Sequence, residues 1–339
     1  MKLESLALAA EIDQSKFKIL MLDQTLLPHE EKWLDIQTND QMIEGIKSLR
    51  VRGAPLIGVA ASLMIAKLAH DGVSRDELLV KSQMLFEARP TAVNLMNCVD
   101  RMTKIIRDNF NKDKIVDLAV QIFNEDVQLC ERMAVNGAEL FQDGDQILTH
   151  CNTGGLATAG VGTALGVIRR AHEHGKKIHV YVDETRPLLQ GGRLTSWELK
   201  KLGIPFTLIT DNMAAHLMSL GKITKAIVGS DRIAVNGDFA NKIGTYSVAV
   251  NCFYHRIPFY VAAPYTTVDP MCANGSFIPI EQRKREEVKG YGDLQWAPKD
   301  IEVYNPSFDV TPHQLVSAWI LDKAVYYKKD IDEGVLKSC

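Results

Sequence analysis

QILTHC (146–151), KIHVYVDE (177–184), PFTLITDN (205–212), KAIVGSD (225–231) and PFYVAAP (258–264) decide the fold. Each is a short apolar run rich in β-branched and aromatic residues, the composition of a buried strand. Between them lie stretches with apolar residues at helical spacing, at 161–174, 194–202, 214–220 and 246–254. Strands that alternate with helices in this way form a parallel sheet with helices on both faces.

Upstream of this region the pattern changes. After a strand-like opening at 17–22, helical spacing runs through 43–49, 57–68, 78–86, 95–110 and 115–141. The last of these is long enough to be a connecting helix. Gly137 and the turn at Gly144 mark a boundary, so we expect an α/β protein of two domains. Residues 1–140 form a smaller, mainly helical N-terminal domain with a short β-sheet, and residues 141–339 form the parallel-sheet domain. A chain of 339 residues is long for one core and natural for two.

Composition narrows the function classes. A hydrophobic fraction of 46%, a charged fraction of 24% and a net charge of -3 are those of an ordinary globular protein without a nucleic-acid footprint. The opening MKLESLALAAEIDQSK is too short and too interrupted by acids for a secretory segment, and no run has the apolar length of a membrane span. The expectation is a cytoplasmic protein with no membrane partner. Six cysteines (Cys98, Cys130, Cys151, Cys252, Cys272 and Cys339) are scattered without a CxxC pair, and the histidines lack metal-ligand spacing. Neither GxGxxG nor a GxxxxGK[ST] loop occurs. No metal and no cofactor are expected.

Ligands of open parallel sheets sit beyond the carboxyl ends of the strands. Those ends present Cys151, Asp183, Asp211 and Asp231. An isolated Asp there is more often a helix cap or a turn residue, but several together with a thiol point to a site. Thr153, Gly154 and Gly155 follow Cys151. Glycines entering a helix would let backbone N–H groups approach a phosphate, and the helix N-terminus would favour a Cys151 thiolate. A buried cysteine beside a tight turn is the plainer alternative. His150 points to the opposite strand face from Cys151 and reads as structural.

Arg52, beside Gly53 and Ala54 in VRGAP (51–55), and Arg89 in ARPTAVN (88–94) each put a guanidinium at the start of an apolar helix. Such a fork suits phosphate oxygens, although a helix cap or a surface ion pair is locally the more common use. GSDRIAVNGDFANKIGTY (229–246) is unusually polar for a connection and reads as a functional loop in which Asn241 and Lys242 can bind hydroxyls or phosphate. EQRKREEV (281–288) mixes signs and reads as a solvated surface segment.

Taken together, LDQTLLP (22–28), SLRVRGAPLIGVAA (48–61), ARPTAVNL (88–95), ILTHCNTGGLAT (147–158), VDETRPLLQGGRLTSWEL (182–199), VGSDRIAVNGDFANKIGTY (228–246) and NPSFDVTP (305–312) resemble the methylthioribose-1-phosphate isomerase family. They occur in the family's order. The related proteins include regulatory subunits of the translation initiation factor 2B and ribose 1,5-bisphosphate isomerases. The resemblance implies a Rossmann-like C-terminal domain, a homodimer, Asp231 as catalytic acid and Cys151 as its partner. It also implies substrate contacts from Arg52, Gly53, Ala54, Arg89, Gln190, Asn241 and Lys242. Leu56 departs from the alanine more usual after RGAP, at an apolar helix start where packing is affected more than chemistry.

A furanose 1-phosphate has a blocked anomeric carbon, so an acid must open the ring before hydrogen can pass from C2 to C1. Asp231 takes that role in this reading, and Cys151 either carries the C2 proton or orients a direct hydride shift. The rival readings are an isomerase of 5-deoxyribose 1-phosphate or ribose 1,5-bisphosphate, and a non-catalytic subunit that senses a sugar phosphate or nucleotide.

Overall fold

In the computed structural model the five runs that decide the fold are neighbouring parallel strands. The structure describes residues 1–89 and 92–338; Pro90, Thr91 and Cys339 lie outside these. Two compact units divide the chain. One comprises Met1–Arg132 with Thr153–Gly166, and the other Met133–Asn152 with Val167–Cys339.

The first unit opens with an antiparallel meander of β1 (Lys2–Glu4), β2 (Leu8–Ile12), β3 (Phe17–Leu22) and β4 (Trp33–Ile36). Four helices follow: α1 (Asn39–Lys47), α2 (Ala54–His70), α3 (Arg75–Phe86) and α4 (Val93–Asp108), and then the long α5 (Lys112–Ala138), which runs past Arg132. Thr38 and Gln41 close a capping box at the start of α1. Helix α2 is the centre of the unit, buried from Leu56 to Ala69, because APLIGVAASLMIAKLA is apolar on every face. Gly58 lets α4 approach it: a Cβ there would lie 2.8 Å from Asn94 O and from Cys98 Sγ.

In the second unit β5 (Gln146–Thr149), α6 (Ala164–Glu173), β6 (His179–Asp183), α7 (Ser196–Leu202), β7 (Phe206–Ile209), α8 (Ala214–Ser219) and β8 (Lys225–Val228) alternate as the sequence implies. After β9 (Arg232–Ala234) and β10 (Phe239–Lys242) come α9 (Thr245–His255), β11 (Phe259–Ala262) and β12 (Val268–Asp269). A short hairpin of β13 (Gly290–Tyr291) and β14 (Leu294–Gln295) precedes β15 (Phe308–Thr311), β16 (Ala318–Ile320) and β17 (Val325–Tyr327). The main sheet has the order β17-β16-β11-β8-β5-β6-β7, parallel except for β17 at one edge. Central β11 is buried at every residue while edge β7 exposes its middle, as a sheet covered on both faces requires. Leu148, Val228, Val261 and Trp319 anchor its core, and the rings of Phe239 and Phe259 stack at 6.3 Å.

Two expectations change here. The polar run 229–246 is not a loop: it holds β9 and β10, which join β12 and β15 in a second sheet of order β12-β9-β10-β15. Asn241 pairs with Asp309 and Lys242 with Phe308 across it. The opening strand at 17–22 is one of four, since β1 and β2 are too short and acid-interrupted to show in a periodicity.

Candidate active site

Strand β5 ends at Thr149, and the chain then turns sharply at Cys151, whose φ is +68°. A non-glycine residue in this left-handed region costs about 1 kcal/mol or more and persists only where neighbours enforce it. The enforcing groups are two hydroxyls. Cys151 N donates to Thr185 Oγ1 at 2.8 Å, and Thr195 Oγ1 donates to the Cys151 carbonyl at 2.7 Å. Thr185 is itself left-handed, at φ +66°, which is costly for a β-branched residue. Asp211 holds it there by accepting from Thr185 N and Arg186 N, both at 2.7 Å. Asn152 is pinned in turn, donating to Glu198 Oε1 at 2.7 Å and Thr195 Oγ1 at 3.3 Å.

The strand ends therefore converge, but Asp183 and Asp211 serve the scaffold. Asp183 Oδ2 lies 3.0 Å from His150 Nδ1, and both side chains are buried. His150 Nε2 lies 2.8 Å from the Ile243 carbonyl, so both ring nitrogens are engaged by groups other than the Cys151 thiol. Burial pushes Asp183 up to about 6 against the pull of His150. For His150 burial opposes charging, but Asp183, Asp211 and the Ile243 carbonyl outweigh it and hold the pKa above the ordinary value. His150, Asp183 and Asp211 are close enough together to surround a cation. Both His150 nitrogens, Asp183 Oδ2 and both Asp211 oxygens are nevertheless spent on one another and on backbone groups, and Asp183 Oδ1 alone of the set has no hydrogen-bond partner among the described residues, so the set suits a shared proton rather than a metal.

Thr153, Gly154 and Gly155 do not open a helix. Helix α6 begins at Ala164, and 151–163 is a folded-back loop in which Gly154 bridges Gly162. A Cβ on Gly162 would lie 2.5 Å from Gly154 Cα, so these glycines allow two backbone segments to touch. Thr153 Oγ1 accepts from Leu165 N at 3.2 Å and so caps α6 itself. The loop is also clamped to the arginine turn of its own unit. Leu56 N donates to Ala157 O at 3.2 Å, Gln24 Nε2 donates to Leu156 O at 2.8 Å, and a Cβ on Gly53 would lie 2.5 Å from Ala157 Cα. Arg52 and Ala54 are half-buried beside it. Arg89 is half-buried after α3, and the Pro90 and Thr91 of its motif lie outside the described residues.

In the second unit Asp231 sits half-buried between β8 and β9, its N–H on Ala240 O at 2.9 Å. Asn241 and Lys242, expected in a functional loop, are instead buried on β10. Asn241 Nδ2 donates to Thr245 Oγ1 at 2.9 Å, and Lys242 Nζ stands 4.6 Å over the Phe308 ring. Gln190 is buried, and its Oε1 has no hydrogen-bond partner among the described residues, an acceptor open to a ligand hydroxyl. Residues 281–288 are not simply solvated either: Arg283 is mostly buried between Glu281 and Glu287. The residues that reading by motif passed over are Thr185, Thr195, Asn152 and Glu198. All but Asn152 lie in the run 182–199, where the concentration of polar residues and paired glycines was the available signal.

Residues 50–327 match the initiation factor 2 subunit family. The chain is 56% identical over 321 residues to the methylthioribose-1-phosphate isomerase of Cronobacter sakazakii, covering 94% of this chain and 95% of that one. The chain belongs to the methylthioribose-1-phosphate isomerase family. The Enterobacter sp. member is 55% identical over 325 residues, covering 95% of both chains. Among solved structures, the 5-methylthioribose 1-phosphate isomerase of Pyrococcus horikoshii superposes with a TM-score of 0.89 at 40% identity over 97% of this chain and 96% of that one. A structure described as the translation initiation factor eIF-2B delta subunit from A. fulgidus also superposes, with a TM-score of 0.84 at 40% identity over 97% and 99%. The family resemblance and the α/β fold expected from the motifs are thus borne out. Among the described residues no helix is long and apolar enough to cross a membrane.

Proposed function

We propose that this chain isomerises 5-methylthioribose 1-phosphate to 5-methylthioribulose 1-phosphate, a step of methionine salvage. The observation that carries the reading is the 56% identity to a methylthioribose-1-phosphate isomerase across nearly the whole chain. The strained Cys151 turn, with a threonine hydroxyl on each of its backbone groups, supports it, because such strain is kept where a site needs it.

In this mechanism Asp231 gives its proton to the ring oxygen, the C1–O ring bond breaks, and C1 becomes an aldehyde-level carbon that still bears phosphate. Hydrogen then passes from C2 to C1, and the C2 hydroxyl gives its proton to the Asp231 carboxylate as its oxygen becomes the ketone. On one route the Cys151 thiolate takes the C2 proton and returns it at C1, leaving the C2 hydroxyl oxygen as the ketone. On the other the hydrogen moves as hydride and Cys151 orients it. Arg52, Gly53, Ala54, Arg89, Gln190, Asn241 and Lys242 are the proposed substrate contacts. Gln190 Oε1 is suited to accept from a sugar hydroxyl. The reaction needs no metal or cofactor in this scheme, and we place it in the cytoplasm, in keeping with described cysteines that are not joined in disulfides.

We also propose a homodimer. Helix α9 exposes Tyr246, Val250, Phe253 and Tyr254, which share a face at helical spacing. An apolar stripe of this kind on a soluble enzyme suits a second copy.

A regulatory role is the second reading, supported by the 40% identity to the structure described as an eIF-2B delta subunit. The deciding experiment incubates the pure protein with 5-methylthioribose 1-phosphate, 5-deoxyribose 1-phosphate and ribose 1,5-bisphosphate, following ketose by NMR. Preference for the methylthio sugar is the expected result. Comparable rates with the first two would make it a C5-tolerant isomerase, and folded protein without turnover would leave the regulatory reading.

A further inference from the structure

One cluster of buried titratable groups that the proposed chemistry leaves unused begins at His150, directly before Cys151 in the chain. His150 is 1% exposed, and both its ring nitrogens face acceptors, Asp183 Oδ2 at 3.0 Å and the Ile243 carbonyl at 2.8 Å. A neutral imidazole has one N–H and could serve only one of these; an imidazolium serves both. The ring is also wedged against backbone: a Cβ on Gly244 would lie 2.9 Å from His150 Cε1 and 3.0 Å from Nε2. Three acidic groups face the ring. They are Asp183 at the end of β6, Asp211 after β7, and Asp309 of β15, which accepts from Gly244 N at 2.8 Å. From α9 the titratable neighbour of Asp183 is the Cys252 thiol, which burial raises to about 12.

We propose that His150 and Asp183 are a positioning pair, an imidazolium–carboxylate that sets Cys151 and the strand end bearing Asn241 and Lys242 in one fixed arrangement. The proposal rests on the isomerase reading, which gives Cys151, Asn241 and Lys242 their roles. Its physical basis is connectivity. Cys151 follows His150 along the chain, and Ile243, held by the ring through its carbonyl, follows Lys242. A shift of the ring moves both sets of groups together. Because the pair is buried, a lost partner is not replaced by water, and its carboxylate or carbonyl would be left unsatisfied.

The test has two readouts on the full chain. In protein labelled with ¹⁵N-histidine, assigned by comparison with His150→Gln or, if that variant does not fold, by through-bond correlation, His150 is expected to be protonated on both nitrogens at a pH of about 7.5. A neutral His150 there overturns the proposal, whether or not any sugar is turned over. The second readout is kinetic. The amide of His150→Gln reaches only one of the two acceptors. It is expected to raise KM for 5-methylthioribose 1-phosphate by about tenfold, the equivalent of one charge-assisted hydrogen bond, and to weaken inhibition by inorganic phosphate by a like factor. Asp183→Asn is expected to move the alkaline-side loss of activity to lower pH than in the wild type, because the ring gives up its proton more readily without its hydrogen-bonded carboxylate. A wild-type KM in folded His150→Gln, or an Asp183→Asn profile parallel to wild type, overturns the pairing. Wild-type protein inactive on every sugar phosphate would strike the isomerase reading alone, and the NMR titration would still judge the pair.

Discussion

Gly191→Ala is the perturbation for which the structure gives the clearest magnitude. An ideal Cβ on Gly191 falls well inside contact distance of the Asp183 carbonyl oxygen, with Thr185 Oγ1 at 2.8 Å and Asp183 C at 2.9 Å. The obstacle is backbone, so no side chain can swing aside. The displaced carbonyl also accepts from Thr185 Oγ1 at 3.0 Å, and that hydroxyl holds Cys151 N. Overpacking of this kind costs about 1–3 kcal/mol, and a misplacement of roughly 1 Å at a reacting group costs on the order of 100-fold in rate. Gly192→Ala is the matched control: its Cβ would meet nothing closer than Glu184 O, at 3.8 Å. We expect Gly191→Ala to lose about 100-fold or more in kcat/KM and to melt several degrees lower, at about 2–4 °C per kcal/mol for a unit of this size. Gly192→Ala should stay near wild type in both. Thermal melts and ketose formation by NMR measure the pair. Wild-type activity in Gly191→Ala, or equal damage in Gly192→Ala, would refute the argument that this contact positions Cys151.

Asp231→Asn should abolish turnover while inorganic phosphate still binds; retained turnover removes Asp231 from the acid role. Cys151→Ser should lose about 10²–10⁴ in kcat, the range of a positioned acid–base group, and near-normal kcat would take the thiol out of the chemistry. Burial pushes Asp126 up to about 6 from 3.8, so the folded state binds its proton more tightly than the unfolded chain. Its contribution then falls as pH rises from about 4 to 6, by up to about 3 kcal/mol, and is level above that window. Asp126→Asn keeps an acceptor for Ala159 N, bonded to Asp126 at 2.6 Å, and should flatten the dependence of urea midpoints on pH in that window; an unchanged slope contradicts the assignment. Phe253→Glu on the exposed face of α9 should convert a dimer to monomer in light scattering, and an unaltered mass places the interface elsewhere.

The main sheet was legible because parallel strands are buried on both faces, so each shows as an apolar run bounded by polar residues. Of the short N-terminal sheet only the strand at 17–22 could be placed, since KLE and LAAEI are three and five residues long with acids at exposed positions. Catalytic candidates stood at the strand ends as read. What holds them could not be seen, because Thr185 and Thr195 are ordinary residues until the chain folds them onto the two backbone groups of Cys151.

Glycine misled in one place and informed in another, for one physical reason. After Cys151 a glycine pair resembles a phosphate-binding helix start, but a missing Cβ licenses any close approach, by a ligand or by the chain itself. At Gly154 and Gly162 the approaching group is backbone, and Thr153 caps α6 from a distance in sequence that no local pattern encodes. At Gly191 and Gly244 the neighbours are Asp183 and His150, the two halves of the buried pair behind Cys151. The polar run 229–246 follows the same logic. Its strand β10 pairs at Asn241 and Lys242 with β15, more than sixty residues further along the chain, a partner that no local pattern reveals.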